Sequence, residues 1–186
     1  MNNKWLVKVN AKVRRKVANN MGWLTTKSMV MQSDVGNYIT SRNQVYEDRD
    51  GSLYLVPRNT YTDGYTIPFG INRTKYDIRP ATLHDIGCRY HKLIKINVDK
   101  DTLIDKYFVN KNNKIICKDI DIEDLLLVDV KFNQLNNIFY NSMVDLDIPK
   151  YKAIEYRIGV EFNIGYIFTK NNKLDINNIY SYKLDT

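Results

Sequence analysis

The dipeptide Asp50-Gly51 stands between two short apolar runs, Val45-Tyr46 and Leu53-Tyr54-Leu55-Val56. Turning one strand back onto another needs a residue with positive φ, and Asp-Gly supplies it. This stretch therefore reads as a β-hairpin. Met29–Gln32, Tyr38–Thr40 and Gln44–Glu47 on its N-terminal side are short and β-like. Pro57 then stops ladder pairing. From about residue 79 the apolar spacing becomes helical. Pro80 suits a first helical turn, and Leu83, Ile86, Tyr90, Leu93 and Ile94 follow at near-helical intervals. Ile122–Leu146 is the longest helical stretch, with Leu125, Val128, Phe132, Leu135 and Phe139 along one side. Pro149 opens another helix, Lys150–Phe162. Between these helices, about 95–121 reads as an inserted hairpin that turns at Lys111-Asn112-Asn113-Lys114, and Ile179–Tyr182 reads as an edge strand. Strands first and helices after predict an α+β fold, with N-terminal antiparallel β-hairpins packed on a C-terminal three-helix group.

The chain has 186 residues, enough for one domain with a sizeable core. Its net charge of +7 is confined to one end. Lys4, Lys8, Lys12, Arg14, Arg15, Lys16 and Lys27 precede the first acid, Asp34, and the remaining basic residues equal the acids in number. This divides the chain into a basic N-terminal arm, 1–27, and a neutral body, 28–186. A basic arm on a neutral body expects an acidic partner: nucleic acid, a membrane surface or an acidic protein. Within the arm, Trp5, Val9, Val13 and Val17 recur every four residues, which is helical spacing, although Leu6 and Val7 would also suit a strand. No apolar run reaches the roughly 18–20 residues of a membrane span, so no transmembrane segment is expected. The start of the chain lacks the apolar core of a secretory signal. Two cysteines, Cys88 and Cys117, make no disulfide framework and are expected to be reduced.

Three groups of residues have chemical potential. Asp63 sits in a loop bracketed by Pro57 and Pro68, where it either holds a ligand or caps backbone N–H groups. His84, Cys88 and His91 are spaced i, i+4 and i+7 on a helix, with Asp85 beside His84. A His-x3-Cys pair on one helix face is a metal-ligand spacing, and a buried histidine bonded to a backbone carbonyl gives the same pattern. Asp129 lies inside the apolar stretch Leu125–Phe132, with Asn133 and Asn136 continuing its stripe. It either faces solvent or is buried against His84 or Arg79. The chain has no Gly-x-Ser-x-Gly, no phosphate loop and no Cys-x-x-Cys.

The run Val56-Pro57-Arg58-Asn59-Thr60-Tyr61-Thr62-Asp63-Gly64-Tyr65-Thr66-Ile67-Pro68, then Ala81-Thr82-Leu83-His84-Asp85, Val128-Asp129-Val130-Lys131-Phe132 and Lys150–Gly165, resembles a small bacteriophage family known as domain of unknown function 1353. The likeness covers about residues 45–166. Asn59 stands where that family has glycine and tolerates the same left-handed backbone. Cys88 stands where the family usually has tyrosine. The resemblance implies a phage origin and a cluster of Asp63, His84, Asp85 and Asp129. The resulting expectation is a virion-associated structural protein, made in the host bacterial cytoplasm and part of an oligomeric assembly. Its arm would contact other virion proteins or nucleic acid through Lys4, Lys8, Lys12, Arg14, Arg15 and Lys16. The alternative is a metal-dependent hydrolase acting on cell wall or nucleotide, with Asp63, His84, Asp85 and Asp129 as its catalytic residues, holding through His84, Asp63 and the other two acids a divalent ion that activates water.

Overall fold

A computed structural model of the chain describes residues 7–8, 11–32, 37–62, 76–161, 173–180 and 184–185. The first half holds β1 (Val7–Lys8), α1 (Ala11–Asn19), β2 (Gly22–Trp23), β3 (Met29–Gln32), β4 (Asn37–Thr40), β5 (Gln44–Glu47), β6 (Leu53–Val56) and β7 (Thr60–Thr62). Then come α2 (Arg79–Tyr90), β8 (Lys92–Ile96), α3 (Lys100–Tyr107), β9 (Phe108–Lys111) and β10 (Lys114–Cys117). The chain continues through β11 (Leu125–Asp129), α4 (Phe132–Val144), α5 (Lys150–Glu161) and β12 (Leu184–Asp185). The fold is α+β. A five-stranded antiparallel sheet, ordered β11-β8-β6-β5-β2, forms its centre. The chain also forms a four-stranded sheet, β12-β7-β4-β3, and a three-stranded sheet, β1-β9-β10. Helices α2, α4 and α5 form the three-helix group, with α4 touching both others.

Local chemistry sets the turns. At the β5–β6 hairpin Gly51 takes φ 81°, its N–H donates to Asp48 O at 3.0 Å, and Asp50 Oδ1 accepts from Ser52 N at 2.8 Å. The β9–β10 hairpin turns on Asn112 and Asn113, at φ 52° and 61°, with Lys111 paired to Lys114. Two successive left-handed residues match the twist of the strands they join. Asn59 is also left-handed, at φ 66°. Pro80 lies in the first turn of α2, and His91 closes that helix at φ 54°.

Several expectations change. Leu93 and Ile94, expected to continue the first helix, lie on β8 because His91 ends α2 in a left-handed conformation. The helix expected over Ile122–Leu146 begins only at Phe132, because Leu125–Asp129 pairs with β8 as a strand. An apolar five-residue run satisfies either period, and the waiting edge of β8 decides it. The described part of the expected arm is built into the body. Val17 and Leu24 are buried in the main core, Trp23 packs against it, β2 is a sheet strand, and Arg14 reaches Asp105 on α3 at 3.0 Å. The expected edge strand at Ile179–Tyr182 is absent from its described residues. Ile179 is buried, Tyr180 Oη accepts from Ile120 N at 2.9 Å, and Leu184–Asp185 pairs with β7 instead.

Two apolar clusters make the core. The larger joins Val45, Leu55, Leu83, Ile94, Leu103, Leu135 and their neighbours. The smaller joins Ile78, Phe139, Met143 and Tyr156. Helix α4 belongs to both, with Leu135 and Ile138 in one and Phe139 and Met143 in the other. It meets α2 closely at Gly87, where an added Cβ would stand 2.4 Å from Leu135 Cδ1. Leu135 is itself fully buried, so it has little room to yield. Gly87→Ala should destabilise the protein by about 1–3 kcal/mol in urea unfolding. Combining it with Leu135→Ala should give a smaller total loss than the sum of the single changes, and strict additivity would contradict the contact.

Candidate functional site

The α2–α4 crossing that Gly87 permits also holds a buried pair of polar side chains. His84 lies one turn before Gly87 and is 4% exposed, and Asn136 follows Leu135 and is 1% exposed. His84 Nε2 donates to Asn136 Oδ1 at 2.9 Å. The imidazole also packs on Phe139, with ring centroids 4.6 Å apart. Removal from water pushes the His84 pKa down to about 4, against a smaller upward pull from Asn136. The ring is therefore neutral at physiological pH, with its proton committed to Nε2. Cys88 Sγ lies 3.6 Å from Nδ1 and 3.7 Å from Nε2. Near-equal distances place the sulfur against the ring and out of line with either nitrogen. Burial first, and then the charge of Asp85, hold the Cys88 thiol well above its ordinary range. A thiol kept protonated beside a neutral, misaligned imidazole is not an activated nucleophile.

The other candidates go elsewhere. Asp85 accepts from Thr62 Oγ1 at 2.5 Å, which ties the end of β7 to α2. The residues that follow Thr62, 63–75, including Asp63 of the two-proline motif, lie outside the described residues. Asp129 is the last residue of the edge strand β11. Its side chain is 87% exposed and accepts from Lys92 Nζ at 2.6 Å. It joins neither His84 nor Arg79. Arg79 is bound to Asp77 at 3.0 Å, donates to Thr25 O at 2.9 Å and covers the Trp23 ring. Among the described residues, no group of three or more His, Cys, Asp or Glu side chains is placed to hold a metal ion. The described donors do not fit a divalent site: the His84 imidazole is buried and bonded, His91 is the left-handed C-cap of α2, and Asp85 and Asp129 turn to Thr62 and Lys92. Of the basic candidates, Lys4 and the side chains of Lys8 and Lys12 lie outside the described residues, and Arg14, Arg15 and Lys16 are exposed on α1.

Asn136, which the sequence marks only as a continuation of the Asp129 stripe, is the member of that stripe that meets His84. The spacing that singles out Asp129 and Phe132 recurs seven residues later as Asn136 and Phe139. This second copy lies on the inner face of α4, and both of its residues touch His84. A polar residue between Leu135 and Ile138 on a core-facing stripe was the available signal.

A second sheltered polar group surrounds Tyr46. Its hydroxyl lies 3.1 Å from Asp145 Oδ2 and 3.4 Å from Asp48 Oδ1. Arg49 binds Asp145, Asn141 Nδ2 donates to Asp48 at 3.1 Å, and Trp23 Nε1 donates to Ser142 O at 3.1 Å. Desolvation raises the Asp145 pKa, opposed chiefly by Arg49. These bonds fasten the β5–β6 turn and β2 to the C-terminal end of α4. A shallow groove of about 490 Å3 between that turn and the start of α3 is lined by Asp50, Lys95, Asp99 and Lys100, among others. Lys100 is tied to Glu47 at 2.5 Å, and Asp99 caps α3 through Thr102 N at 2.9 Å.

Because the folded pKa of His84 lies below the ordinary 6.5, the unfolded chain takes up the proton first as pH falls. The contribution of the neutral ring is complete above about pH 6.5 and is lost as pH falls toward 4. Between about pH 7 and about pH 5, wild type should lose on the order of 2 kcal/mol more unfolding free energy than His84→Gln, measured by urea melts. Equal losses would place the ring in water. Asn136→Leu should cost about 1–3 kcal/mol at neutral pH by leaving the Nε2 proton buried without an acceptor.

Comparison with protein-family models, with curated proteins and with solved structures returns no match for this chain.

Proposed function

We propose that this protein is a structural, particle-associated component of a bacteriophage, made in the host bacterial cytoplasm, whose work is assembly. The observation that carries the reading is how the motif residues are used. His84 bonds to Asn136 on α4 and Asp85 to Thr62 on β7, two separate pairs that each fasten α2, which supports reading these residues of the signature as folding elements. Hydrolysis through His84 would require a ring nitrogen offered to an ion or a water, and this ring is buried, neutral and already bonded.

The surface supports an acidic partner at one place. On α1, Arg14 is anchored to Asp105 and lies 4.0 Å from Asp101, whereas Arg15 and Lys16 are exposed and make no ion pair with a described residue. Among the described residues, Arg14, Arg15 and Lys16 are carried by α1, which is docked on the body through Val17 and the Arg14–Asp105 pair. A fixed basic face without a base-reading element would bind phosphates regardless of sequence and with strong salt dependence. Nucleic acid inside a particle, or an acidic surface of a neighbouring virion protein, fits that face.

Deleting residues 1–27 would also remove Val17, Trp23 and Leu24 from the core, so charge reversal is the cleaner test. Wild type should bind duplex DNA in fluorescence anisotropy with an affinity that falls steeply with salt. Arg15→Glu combined with Lys16→Glu should weaken binding at least about tenfold and reduce the salt slope by about 2, with the melting temperature unchanged. Identical curves for the two proteins would remove nucleic acid as the partner of this face.

A further inference from the structure

Helix α5 has two apolar faces. Ala153, Tyr156 and Val160 are buried against the body. Tyr151, Ile154 and Ile158 lie on the opposite side and are 67%, 47% and 49% exposed. Spaced three and four residues apart, they form one stripe. Among the described residues they are three of the five exposed large hydrophobic side chains, and Met21 and Leu126 stand singly elsewhere. Single exposed apolar residues are ordinary, but a continuous helical stripe facing away from the core marks a contact surface.

The charges beside the stripe indicate what covers it. Lys150 and Glu161 are the two ends of α5. Eleven residues at 100° each bring them to within about 20° of each other around the helix and about 16 Å apart along it. They therefore share one flank of the stripe, with opposite charges at its two ends. Lys150 makes no ion pair with a described residue, and Glu161 accepts from Arg157 at 3.0 Å, one turn back on the same flank. A flank that is positive at one end and negative at the other complements itself when reversed. We propose that α5 is the contact between two copies of this chain. The helices pack antiparallel with their stripes interleaved, and Lys150 of each copy stands against Glu161 of the other. Such a contact is isologous, the commonest form of self-association. One helix pair falls at the small end of specific interfaces, below about 1,200 Å2 in total, so the pairing is weak and depends on concentration. In naming a partner the inference rests on the assembly reading, but it uses a different helix from the basic face of α1.

Sedimentation equilibrium of the full chain from about 5 to about 500 μM tests it. The mean mass should climb from one chain toward two across that range. Ile158→Glu should remain monomeric throughout, with an unchanged circular dichroism spectrum and melting temperature. Lys150→Glu should move the midpoint up at least about fivefold, and adding Glu161→Lys should bring it back to within about twofold of wild type. A wild-type protein that stays monomeric, or an Ile158→Glu variant that associates like wild type, would overturn the contact. Indifference to Lys150→Glu would overturn the antiparallel pairing. Monomeric wild type that still binds DNA would remove the α5 contact and leave the α1 reading standing.

Discussion

Helices α2 and α4 come together where Gly87 leaves space for Leu135, and beside that contact His84 and Asn136 satisfy each other. The crossing joins the two apolar clusters, because α4 contributes to both and the His84 ring packs on Phe139 of the smaller. Close approach and hydrogen bonding depend on each other here. A Cβ at residue 87 would push α4 away, and separation of the helices would leave an imidazole N–H and an amide oxygen dry and unpaired, at a cost of about 1–3 kcal/mol each. The sheet is tied to the same helix by the Tyr46–Asp145 and Trp23–Ser142 bonds, which attach β5 and β2 to its far end.

This arrangement has a consequence for function. Histidine beside aspartate suggests catalysis when met in a sequence, yet here the pair divides. His84 turns inward to Asn136 and Asp85 turns to Thr62, so each fastens α2 to a different neighbour. The polar contacts of these two pairs lie within the molecule, and its outside is set by other residues. Two surfaces stand out there, the basic face of α1 and the apolar stripe of α5.

Much of the fold could be read along the chain where turn chemistry is explicit. Asp50-Gly51, Asn112-Asn113 and Pro80 each impose a backbone conformation that few other residues adopt, and each stands at a turn or a helix start. The join between β11 and α4 has no such marker. Lys131 precedes the helix without a capping side-chain bond, and the run Leu125–Asp129 carries apolar residues at spacings that serve a strand or a helix equally. Only the pairing with β8 distinguishes them, and that is a long-range fact. The basic segment misleads for a similar reason. Its charge excess is local, but the acids of α3 that receive Arg14, and the core that receives Val17, are distant in sequence. Asp129 is an acid in an apolar run, and its place at the last residue of an edge strand leaves it in water beside Lys92. Asn136, one helical repeat later, is less conspicuous because it carries no charge.

The protonation state of His84 tests the role of the α2–α4 crossing most directly. Imidazole 15N shifts of labelled protein, followed by NMR from about pH 7.5 to about pH 5, report it without perturbing the fold. A ring buried against Phe139 and bonded through Nε2 should keep the shifts of the neutral form, protonated at Nε2, across the whole range. A His84 signal that titrates with a midpoint at or above about 6 would mean that water reaches the ring, and the crossing would then be an open site.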